Sequence, residues 1–325
     1  MKRFLLVGDY NRNNGPCNVN RALIECADSS LLYLKSKTKI ARLIEFIVLS
    51  FICDAFLVSG GVLSGRMKIV YLFNKKIFVL MHGCLRYENE INKQGNDVKI
   101  YYAEDKVLEK SYQIIAVSEK YSEWLKQRFP EYKHKITFVN NGIEIFRRPM
   151  VCKRKGEIAV SGGNRNIKNN EIICKAVEKL NDEGVLCHVI IYGRLYANSF
   201  DVNAFPHAKY AGQLDKEEYY AMLDYAELFV VNSELEPFGL VVGDAINCNC
   251  SLLMSESVGA ASIMKTKNED IILNPYDIDE ICSKIKYLLN NSNRERLYNS
   301  IDIMDCGNKS AYEKIKNICL NDAKN

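Results

Sequence analysis

Short runs of aliphatic and β-branched residues alternate with helical patterns along nearly the whole 325-residue chain. This alternation limits the fold strongly, because a strand followed by a helix returns most easily to a neighbouring parallel strand of the same sheet. Most of the runs end in Gly, Ser, Asn or Asp, which are typical of a turn into a helix or a ligand loop. The pattern predicts an α/β fold built from doubly wound, Rossmann-like sheets.

Twelve of these runs are predicted strands, in two series of six. The first series lies at 3–9, 30–34, 54–60, 76–83, 113–119 and 135–142, and the second at 156–163, 187–193, 208–212, 227–233, 251–257 and 270–276. Between them, residues 143–156 carry five basic residues and a proline without a clear period, which is typical of a domain boundary.

We therefore predict one domain at 1–148 and a second at 149–309, facing each other across a cleft. Ligands of doubly wound sheets bind at the carboxyl ends of the strands, so the site is expected in that cleft. The pattern does not place the last helical stretch, 310–325. Packing of this stretch back against the first domain is one hypothesis.

Cysteine usage and hydropathy indicate a cytoplasmic protein. The 12 cysteines are scattered without paired CxxC spacing, which favours buried, reduced thiols. The N-terminal apolar run stops at Asp9 and lacks the features of a signal peptide. The most hydrophobic stretch, 43–58, is short for a membrane span and contains Glu45 and Asp54, so we interpret it as a helix followed by a buried strand.

The charges are distributed unevenly along the chain. Residues 1–150 contain 24 Lys and Arg against 15 Asp and Glu, a net charge of +9, while the remaining residues carry −5. A basic first half is suited to an anionic partner such as a lipid headgroup, and peripheral contact with an anionic membrane is one hypothesis. Ordinary surface charge remains the alternative interpretation.

Common cofactor signatures are absent from the sequence. No G-x-G-x-x-G follows the first strand and no G-x-x-x-x-G-K-[ST] occurs, which argues against dinucleotide dehydrogenases and P-loop NTPases. The acid pair in 277–279 opens an amphipathic stretch and is interpreted as a helix cap. We expect no metal, no cofactor and no nucleic-acid partner.

Two acids, Glu236 and Asp244, flank the Pro-Phe-Gly turn of "NSELEPFGLVVGDAINC". Pro237 favours a helix that begins there, and side chains lean toward a helix N-terminus, so both acids should converge on that end. Free backbone N–H groups around Phe238 to Leu240 would suit phosphate, and Gly239 leaves room for a ligand. Such a site fits a ligand with hydroxyls and phosphates, such as a nucleotide sugar; alternatively, both acids only complement the helix dipole.

This stretch resembles the signature of the family 4 retaining glycosyltransferases of the GT-B fold. Other segments resemble further elements of that family in its order: the Gly-rich loop (13–23), the histidine strand (79–83), the inter-domain approach (114–129 and 136–144), the phosphate-binding Lys segment (161–177) and the run into the acidic motif (210–240). The resemblance covers nearly all of the chain.

The resemblance implies roles for the acids and for the nearby backbone. Glu236 is expected to contact the hydroxyls of the transferred sugar, and the amides of Phe238, Gly239 and Leu240 to hold the sugar and diphosphate. Asp244, where the family usually has Glu, is expected to bind the ribose diol.

It also implies roles for cations and loops. Lys168 and Arg165 are expected to neutralise the leaving diphosphate, although Arg165 precedes Lys168 by only three residues, closer than the family's usual spacing. His82 is expected near the reacting sugar, the Gly15 loop near the phosphates, and the backbone of Gly212 to Leu214 beside the base. Without the resemblance, His82, Gly15 and Lys168 could equally be a structural histidine, a turn glycine and a solvated lysine.

The implied function is that of a metal-independent, hexosyltransferase-type retaining glycosyltransferase. Its donor would be a nucleotide diphosphate sugar, and its acceptor a hydroxyl of a glycan or lipid-linked molecule, in surface polysaccharide or lipopolysaccharide synthesis at the inner face of the cell membrane. Two alternatives stay open. One is a GT-B nucleotide-sugar epimerase, and the other is a catalytically silent nucleotide-sugar-binding module.

Overall fold

The computed structural model of the chain describes residues 2–12, 14–60, 66–93 and 98–321. Twelve strands lie in this part of the chain. They are β1 (Phe4–Gly8), β2 (Leu31–Leu32), β3 (Ala55–Ser59), β4 (Lys76–Met81), β5 (Gln113–Ala116), β6 (Ile136–Phe138), β7 (Arg154–Ser161), β8 (His188–Tyr192), β9 (Ala208–Gly212), β10 (Ala226–Val231), β11 (Ser251–Ser255) and β12 (Ile271–Ile272).

The α-helices of the described residues follow the strands in alternation. They are α1 (Gly15–Glu25), α2 (Lys39–Ile52), α3 (Arg66–Val70), α4 (Leu85–Ile91), α5 (Val98–Lys110), α6 (Glu119–Arg128), α7 (Asn170–Asp182), α8 (Lys216–Tyr225), α9 (Leu240–Asn247), α10 (Ile278–Asn290), α11 (Arg294–Asn299), α12 (Ile303–Cys306) and α13 (Asn308–Asn321). Short 3₁₀ segments lie at Pro130–Lys135, Asn166–Lys168, Val202–Ala204, Gly259–Ile263 and Asn268–Asp270.

The predicted α/β architecture is confirmed. Each of the twelve predicted runs overlaps one strand, although β7 and β10 begin two residues and one residue before the predicted starts. The apolar stretch 43–58 divides into the end of α2 and β3, as expected. Within the described ranges, every helix is too short or too polar to cross a bilayer.

The chain divides into two compact units. The first comprises Met1–Arg86, Asn96–Ile143 and Met304–Asn325, and the second comprises Tyr87–Gly95 and Glu144–Ile303. The C-terminal helix α13 therefore belongs to the first unit, where the Tyr312 hydroxyl donates to Asp28 Oδ1 at 2.8 Å.

The first unit contains a parallel six-stranded sheet in the order β2-β1-β3-β4-β5-β6. Its core lies between this sheet and the helices, and includes Leu5, Phe56 and Val79 from three adjacent strands and Phe46 from α2. The chain moves from β1 to β2 on one side and to β3 on the other. The order therefore reverses between β1 and β3, where ligands of such sheets bind at the carboxyl edge.

The second unit contains a parallel six-stranded sheet in the order β12-β11-β10-β7-β8-β9. Its central pair has Ile158 of β7 opposite Leu228 of β10, and both side chains are fully buried. The chain winds from β7 to β9 in one direction and from β10 to β12 in the other. The switch point of this sheet thus lies at the carboxyl ends of β7 and β10.

Side chains at several helix N-termini accept hydrogen bonds from backbone N–H groups that have no partner within the helix. Asn14 caps α1 by accepting from the Cys17 amide at 3.0 Å, and Thr38 caps α2 in the same way. At α8, Asp215 and Glu218 form a reciprocal capping box. Asp277 caps α10, so the interpretation of the acid pair at 277–279 as a helix cap is confirmed.

A close backbone contact after β7 leaves room only for glycine at position 163. We therefore predict that Gly163→Ala lowers the free energy of unfolding of the second unit by at least about 3 kcal/mol. Gly163 has a φ of +63°, and an added Cβ would overlap the Arg194 carbonyl oxygen. The matched control is Gly184→Ala, where φ is +81° but no atom lies within 4 Å, so that only the backbone cost of about 1–2 kcal/mol applies. Urea unfolding of the two variants measures the difference; equal losses would contradict the packing argument.

Candidate active site

The loop after β7 carries Lys168 to the switch point of the second sheet. Lys168 is the last residue of the 3₁₀ segment Asn166–Lys168, and its amide donates to the Arg165 carbonyl at 3.0 Å. The aliphatic part of the side chain crosses Gly162, where an added Cβ would lie 2.8 Å from Lys168 Cγ. Gly162 therefore provides the space in which the lysine stem lies.

The loops after β7 and β8 are held together by their backbones. The Gly163 amide donates to the Tyr192 carbonyl at 2.9 Å, and a Cβ on Gly193 would lie 2.8 Å from the Gly163 nitrogen. The buried Asn170 amide donates to the carbonyls of Ser161 and Gly163 at 2.9 and 2.7 Å. These bonds position the β7 loop, and with it Lys168, through rigid groups.

The segment after β10 carries Glu236 to the same place. Lys168 Nζ and Glu236 Oε2 form a salt bridge, and the Ser233 hydroxyl donates to the same oxygen at 3.2 Å. The two side chains are only 12% and 14% exposed, so the pair is shielded from water and its attraction is stronger than at a surface. The structure thus brings together the acid and the cation that the sequence predicted from separate motifs.

The helix after this acid begins later than predicted. Pro237 predicted a helix start at its own position, but α9 begins at Leu240, and Gly239 at φ +94° forms its N-cap. The carbonyls of Glu236 and Phe238 instead accept from the amides of Gly259 and Ala260, at 3.0 and 2.7 Å. These cross-links keep the segment extended until the left-handed glycine turns it into the helix.

The N-terminus of α9 is available to a ligand. Its N-cap residue is Gly239, which has no side chain to cap the helix, so the amides of Leu240 and Val241 keep the donor capacity that a capping residue would satisfy. The Val242 amide instead donates to the Gly239 carbonyl at 3.0 Å. The Phe238 side chain is 2% exposed, so it is not available to a ligand, and any contact of this residue would be through its backbone.

Asp244 lies on α9 among tyrosines. Its Oδ1 accepts from the Tyr220 hydroxyl at 2.8 Å, and its Oδ2 from the Tyr219 hydroxyl at 3.3 Å. Tyr219 also packs against Tyr192, with ring centroids 4.7 Å apart. Each carboxylate oxygen of the predicted ribose-binding acid therefore already has one donor from α8.

Burial changes the acidity of this cluster. Burial raises the pKa of the Asp244 carboxyl above its usual range, and the hydrogen bonds from Tyr220 and Tyr219 partly offset that rise. Burial likewise raises the pKa of Tyr219, Tyr220 and Tyr192, with the negative charge of Asp244 contributing. The tyrosines consequently act as hydrogen-bond donors at neutral pH.

Three further predicted residues lie on the loops of this edge. Arg165 is half-buried, three residues before Lys168, and within the part of the chain described here it has no acidic partner. Gly212 ends β9 at φ +89°, where its carbonyl accepts from the Gly193 amide at 2.9 Å. Leu214 is half-buried just before α8.

Two predicted residues belong to the first unit. Gly15 is the first residue of α1, and no atom lies within 4 Å of where its Cβ would be. His82 follows β4, and its Nε2 lies 2.8 Å from the hydroxyl of Ser59, at the end of β3. His82 thus lies at the carboxyl edge of the first sheet, one strand from the switch point at β1 and β3.

The hydrogen bonds around Ser59 determine the tautomer of His82. Asn20 donates through Nδ2 to the Asp9 carbonyl at 2.8 Å, which turns its Oδ1 toward the Ser59 hydroxyl. Ser59 donates its single proton to that oxygen and must therefore accept from His82. Nε2 of His82 carries the proton, and Nδ1 is left as an acceptor.

The sequence did not identify Ser233, Tyr192, Tyr219 or Tyr220 as parts of the site. The hydrogen bond from Ser233 to Glu236 is visible only in the structure. Tyr219 and Tyr220 donate to Asp244 because α8 and α9 pack together. The one available signal was the consecutive pair Tyr219–Tyr220 in the run toward the acidic motif. That pair is also compatible with an ordinary helix face.

A comparison with protein families agrees with this geometry. Residues 143–301 match the family described as "Glycosyl transferases group 1". The matched range contains β7 to β12 and both members of the Lys168–Glu236 pair. No curated protein matches the chain.

Solved structures resemble the chain over nearly its whole length. A glycosyltransferase from Rickettsia africae has a TM-score of 0.66 at 13% identity, covering 100% of this chain and 99% of its own. HepE from Anabaena, in complex with UDP and glucose, has a TM-score of 0.64 at 10% identity, and the match covers 98% of this chain and 99% of HepE. The pneumococcal O-GlcNAc transferase GtfA, in complex with UDP and GlcNAc, has a TM-score of 0.62 at 17% identity, and the match covers 89% of this chain and 61% of GtfA.

These similarities establish the fold, which is that of the GT-B glycosyltransferases, as predicted. The matched family supports a relationship to the group 1 glycosyltransferases for residues 143–301.

The environment of His82 predicts a pH-dependent stability. Burial lowers the pKa of His82 from 6.5 to about 4, so the folded protein binds fewer protons than the unfolded chain between these values, and stability falls as the pH falls through this window. Between pH 7 and pH 5 the loss from this residue is about 2 kcal/mol.

We expect His82→Gln to remove that part of the pH dependence, measured as the change in unfolding free energy between pH 7 and pH 5 in urea. His134→Gln, which replaces an exposed histidine, is the control and should behave as wild type. An unchanged pH dependence in His82→Gln would show that His82 is not held neutral by burial.

Proposed function

We propose that this chain transfers a sugar from a nucleotide diphosphate sugar to a hydroxyl group, with retention of configuration at the anomeric carbon. The observation that carries the proposal is the shielded Lys168–Glu236 pair beside the uncapped N-terminus of α9, at the switch point of the second sheet. The cation and the amide donors suit the charged oxygens of the donor's diphosphate, and the carboxylate suits the hydroxyls of its sugar.

In the proposed reaction the diphosphate is the leaving group. The bond from the anomeric carbon to the diphosphate oxygen breaks with its electron pair on that oxygen, and the acceptor oxygen bonds to the same face of the carbon. The acceptor proton passes to the departing phosphate. Lys168, Arg165 and the amides of α9 stabilise the charge that grows on the diphosphate, since donors fixed in advance need no rearrangement in the transition state.

Glu236 has a separate role in this proposal. With the donor bound, the diphosphate competes for the Lys168 ammonium group, and the Glu236 carboxylate then accepts from the hydroxyls of the sugar. Its bond from Ser233 keeps Oε2 oriented during that exchange. Retention and independence from a divalent metal rest on the resemblance to the family 4 enzymes, together with the cations and amides that would serve the diphosphate instead.

The nucleotide sugar is supported by what similar proteins bind. HepE from Anabaena is described with UDP-glucose, and GtfA with UDP and GlcNAc. For this chain we propose a nucleotide diphosphate hexose as donor, and a glycan or lipid-linked hydroxyl as acceptor. Surface polysaccharide or lipopolysaccharide synthesis at the cytoplasmic face of a membrane is the setting in which a basic first half and such an acceptor fit together.

The decisive experiment combines a donor panel with two site variants. Nucleotide release is measured with UDP-, GDP-, dTDP- and ADP-sugars, with and without an acceptor. Glu236→Gln and Lys168→Met should each lower kcat by about a hundredfold or more, because each removes a group aimed at developing charge or at the sugar. Lys175→Met is the matched control, since Lys175 forms an exposed salt bridge with Glu171 on α7.

The outcomes separate the competing functions. Full activity in either site variant would refute the site. Conversion of the donor to an epimer without transfer would identify an epimerase, and tight nucleotide binding with no turnover would identify a silent binding module. Thermal unfolding of each variant with saturating nucleotide distinguishes a lost chemical role from a lost fold.

The tyrosines around Asp244 provide a test of ribose binding. Asp244→Asn should raise the Kd of the nucleotide that the panel selects by about tenfold, because a charge-assisted hydrogen bond is lost. Tyr220→Phe should leave the Kd equal or lower, because it frees a carboxylate oxygen for the ribose hydroxyl.

Calorimetry with that nucleotide and its 2′-deoxy analogue measures both effects. If Asp244 binds the diol, Asp244→Asn weakens binding of the 2′-deoxy analogue much less than binding of the parent nucleotide. An identical loss for both nucleotides would assign Asp244 a purely structural role.

A further inference from the structure

The solvent-facing side of α2 is apolar along its whole length. Among the residues of this helix that are exposed, Lys39 alone is polar. The large apolar members are Ile40, Leu43, Ile44, Ile47, Val48, Phe51 and Ile52, which we call the α2 outer face. Ile40 and Phe51 are 76% and 71% exposed. A surface helix of a globular protein normally carries polar residues on this side.

The helix α10 in the second unit has nearly the same length and shows the usual arrangement. Its buried residues include Ile281 and Ile285, and its exposed residues are polar or amphipathic, at Asp279, Ser283, Lys286, Tyr287 and Asn290. The apolar outer face of α2 is therefore not shared by α10.

The core uses only a narrow strip of α2. Phe46 and Ser50 are its buried residues, and the Ser50 hydroxyl donates to the Phe46 carbonyl at 2.7 Å. This strip attaches the helix to the first sheet. Leu49 of α2 also packs against this core, whereas none of the seven large apolar residues of the α2 outer face is among the described residues of the core.

The apolar surface continues beyond the end of the helix. Lys75 Nζ donates to the carbonyls of Ser50 and Phe51 at 2.6 and 3.0 Å, which fastens the segment after α3 to the C-terminus of α2. The rings of Phe51 and Phe73 meet edge to face at 5.2 Å. Beside them Leu72 is among the most exposed apolar side chains described.

Positive charge surrounds the N-terminal end of this surface. Lys35, Lys37, Lys39 and Arg42 lie within eight residues at the start of α2. The one acid of the helix, Glu45, is engaged with the chain itself, because its carboxylate accepts from the amides of Lys35 and Ser36. The rim of the α2 outer face thus carries a net positive charge.

We propose that the α2 outer face docks on the surface of an anionic lipid bilayer. The helix would lie in the plane of the interface, with Ile40, Ile44 and Phe51 below the headgroups and the lysines at the level of the lipid phosphates. An amphipathic helix binds in this way when an apolar face and basic residues act together. With 14 residues α2 spans about 21 Å, too short to cross the bilayer but long enough to lie on it.

Charge favours lipid over a second copy of the chain. Two copies that met through this face with their α2 helices parallel would bring like-charged rims close together, which costs free energy, and an antiparallel pair would leave each rim without an opposite charge from the other rim. Anionic headgroups neutralise the rim directly. The proposal does not depend on glycosyl transfer, since it uses no residue of the candidate active site.

The first test is vesicle flotation. The wild-type protein should float with vesicles of phosphatidylglycerol and phosphatidylcholine, and bind at least about fivefold more weakly to phosphatidylcholine alone. Ile44→Ser/Phe51→Ser should lower the partition coefficient by about tenfold or more. The matched control is Leu186→Ser/Leu273→Ser, which changes two apolar residues of the second unit that are 83% and 59% exposed.

The second test removes charge. Lys37→Gln/Lys39→Gln should weaken binding to the anionic vesicles by about tenfold and leave binding to phosphatidylcholine unchanged. Lys209→Gln/Lys286→Gln, which removes two exposed lysines of the second unit, is the matched control and should bind as wild type.

Two results would overturn the proposal. One is equal vesicle binding by the wild type and the Ile44→Ser/Phe51→Ser variant. The other is a wild-type protein that does not bind vesicles and has a mass in solution of twice 37.2 kDa, which the Ile44→Ser/Phe51→Ser variant reduces to 37.2 kDa. The α2 outer face would then join two copies of the chain. Glu236→Gln should float as wild type, so a failure of the proposed transferase activity is distinguished from a failure of membrane docking.

Discussion

Everything at the candidate site depends on the divergence of the chain at β7 and β10. These strands are neighbours, but the strands that follow them lie in opposite directions, so their loops separate at the carboxyl edge and leave space between them. Lys168 follows one strand and Glu236 follows the other, and their salt bridge spans that space. Each charge is largely shielded from water, so neither would be tolerated there without a partner, and a ligand that displaces one must replace its charge.

Rigid backbone positions this pair. The loops after β7 and β8 approach so closely that Gly163 and Gly193 have no space for a side chain, and the stem of Lys168 occupies the space beside Gly162. The side-chain amide of Asn170 holds two carbonyls of the β7 loop. The segment that bears Glu236 is cross-linked to Gly259 and Ala260 before it turns at Gly239. Lys168 and Glu236 have long, flexible side chains, but the backbone segments that carry them are fixed by these contacts. Less conformational entropy is therefore lost at the site when a ligand binds.

The sequence was informative where a local pattern has one physical cause. Each of the twelve short runs predicted as a strand coincides with a strand of the structure, and the acid of "SELEPFG" and the lysine of "SGGNRNIK" were predicted as site residues from motifs. It was less informative where two local preferences compete. Pro237 favours a helix start, yet the bonds of Glu236 and Phe238 to the neighbouring segment are stronger and delay the helix to Leu240. The tyrosine donors of Asp244 lie on another helix, and their only local signal, the consecutive pair Tyr219–Tyr220, is equally compatible with an ordinary helix face.

The segment containing α2 shows the same division. The stretch 43–58 predicted a helix followed by a buried strand, because it is short for a membrane span and contains Glu45 and Asp54. Composition did not determine which side of that helix would meet the sheet, since apolar residues lie on nearly every side. Packing against the sheet decided it by burying Phe46 and Ser50 and leaving the larger apolar face outside. Periodicity along a chain specifies an element, whereas the partner of each face depends on contacts between residues far apart in sequence.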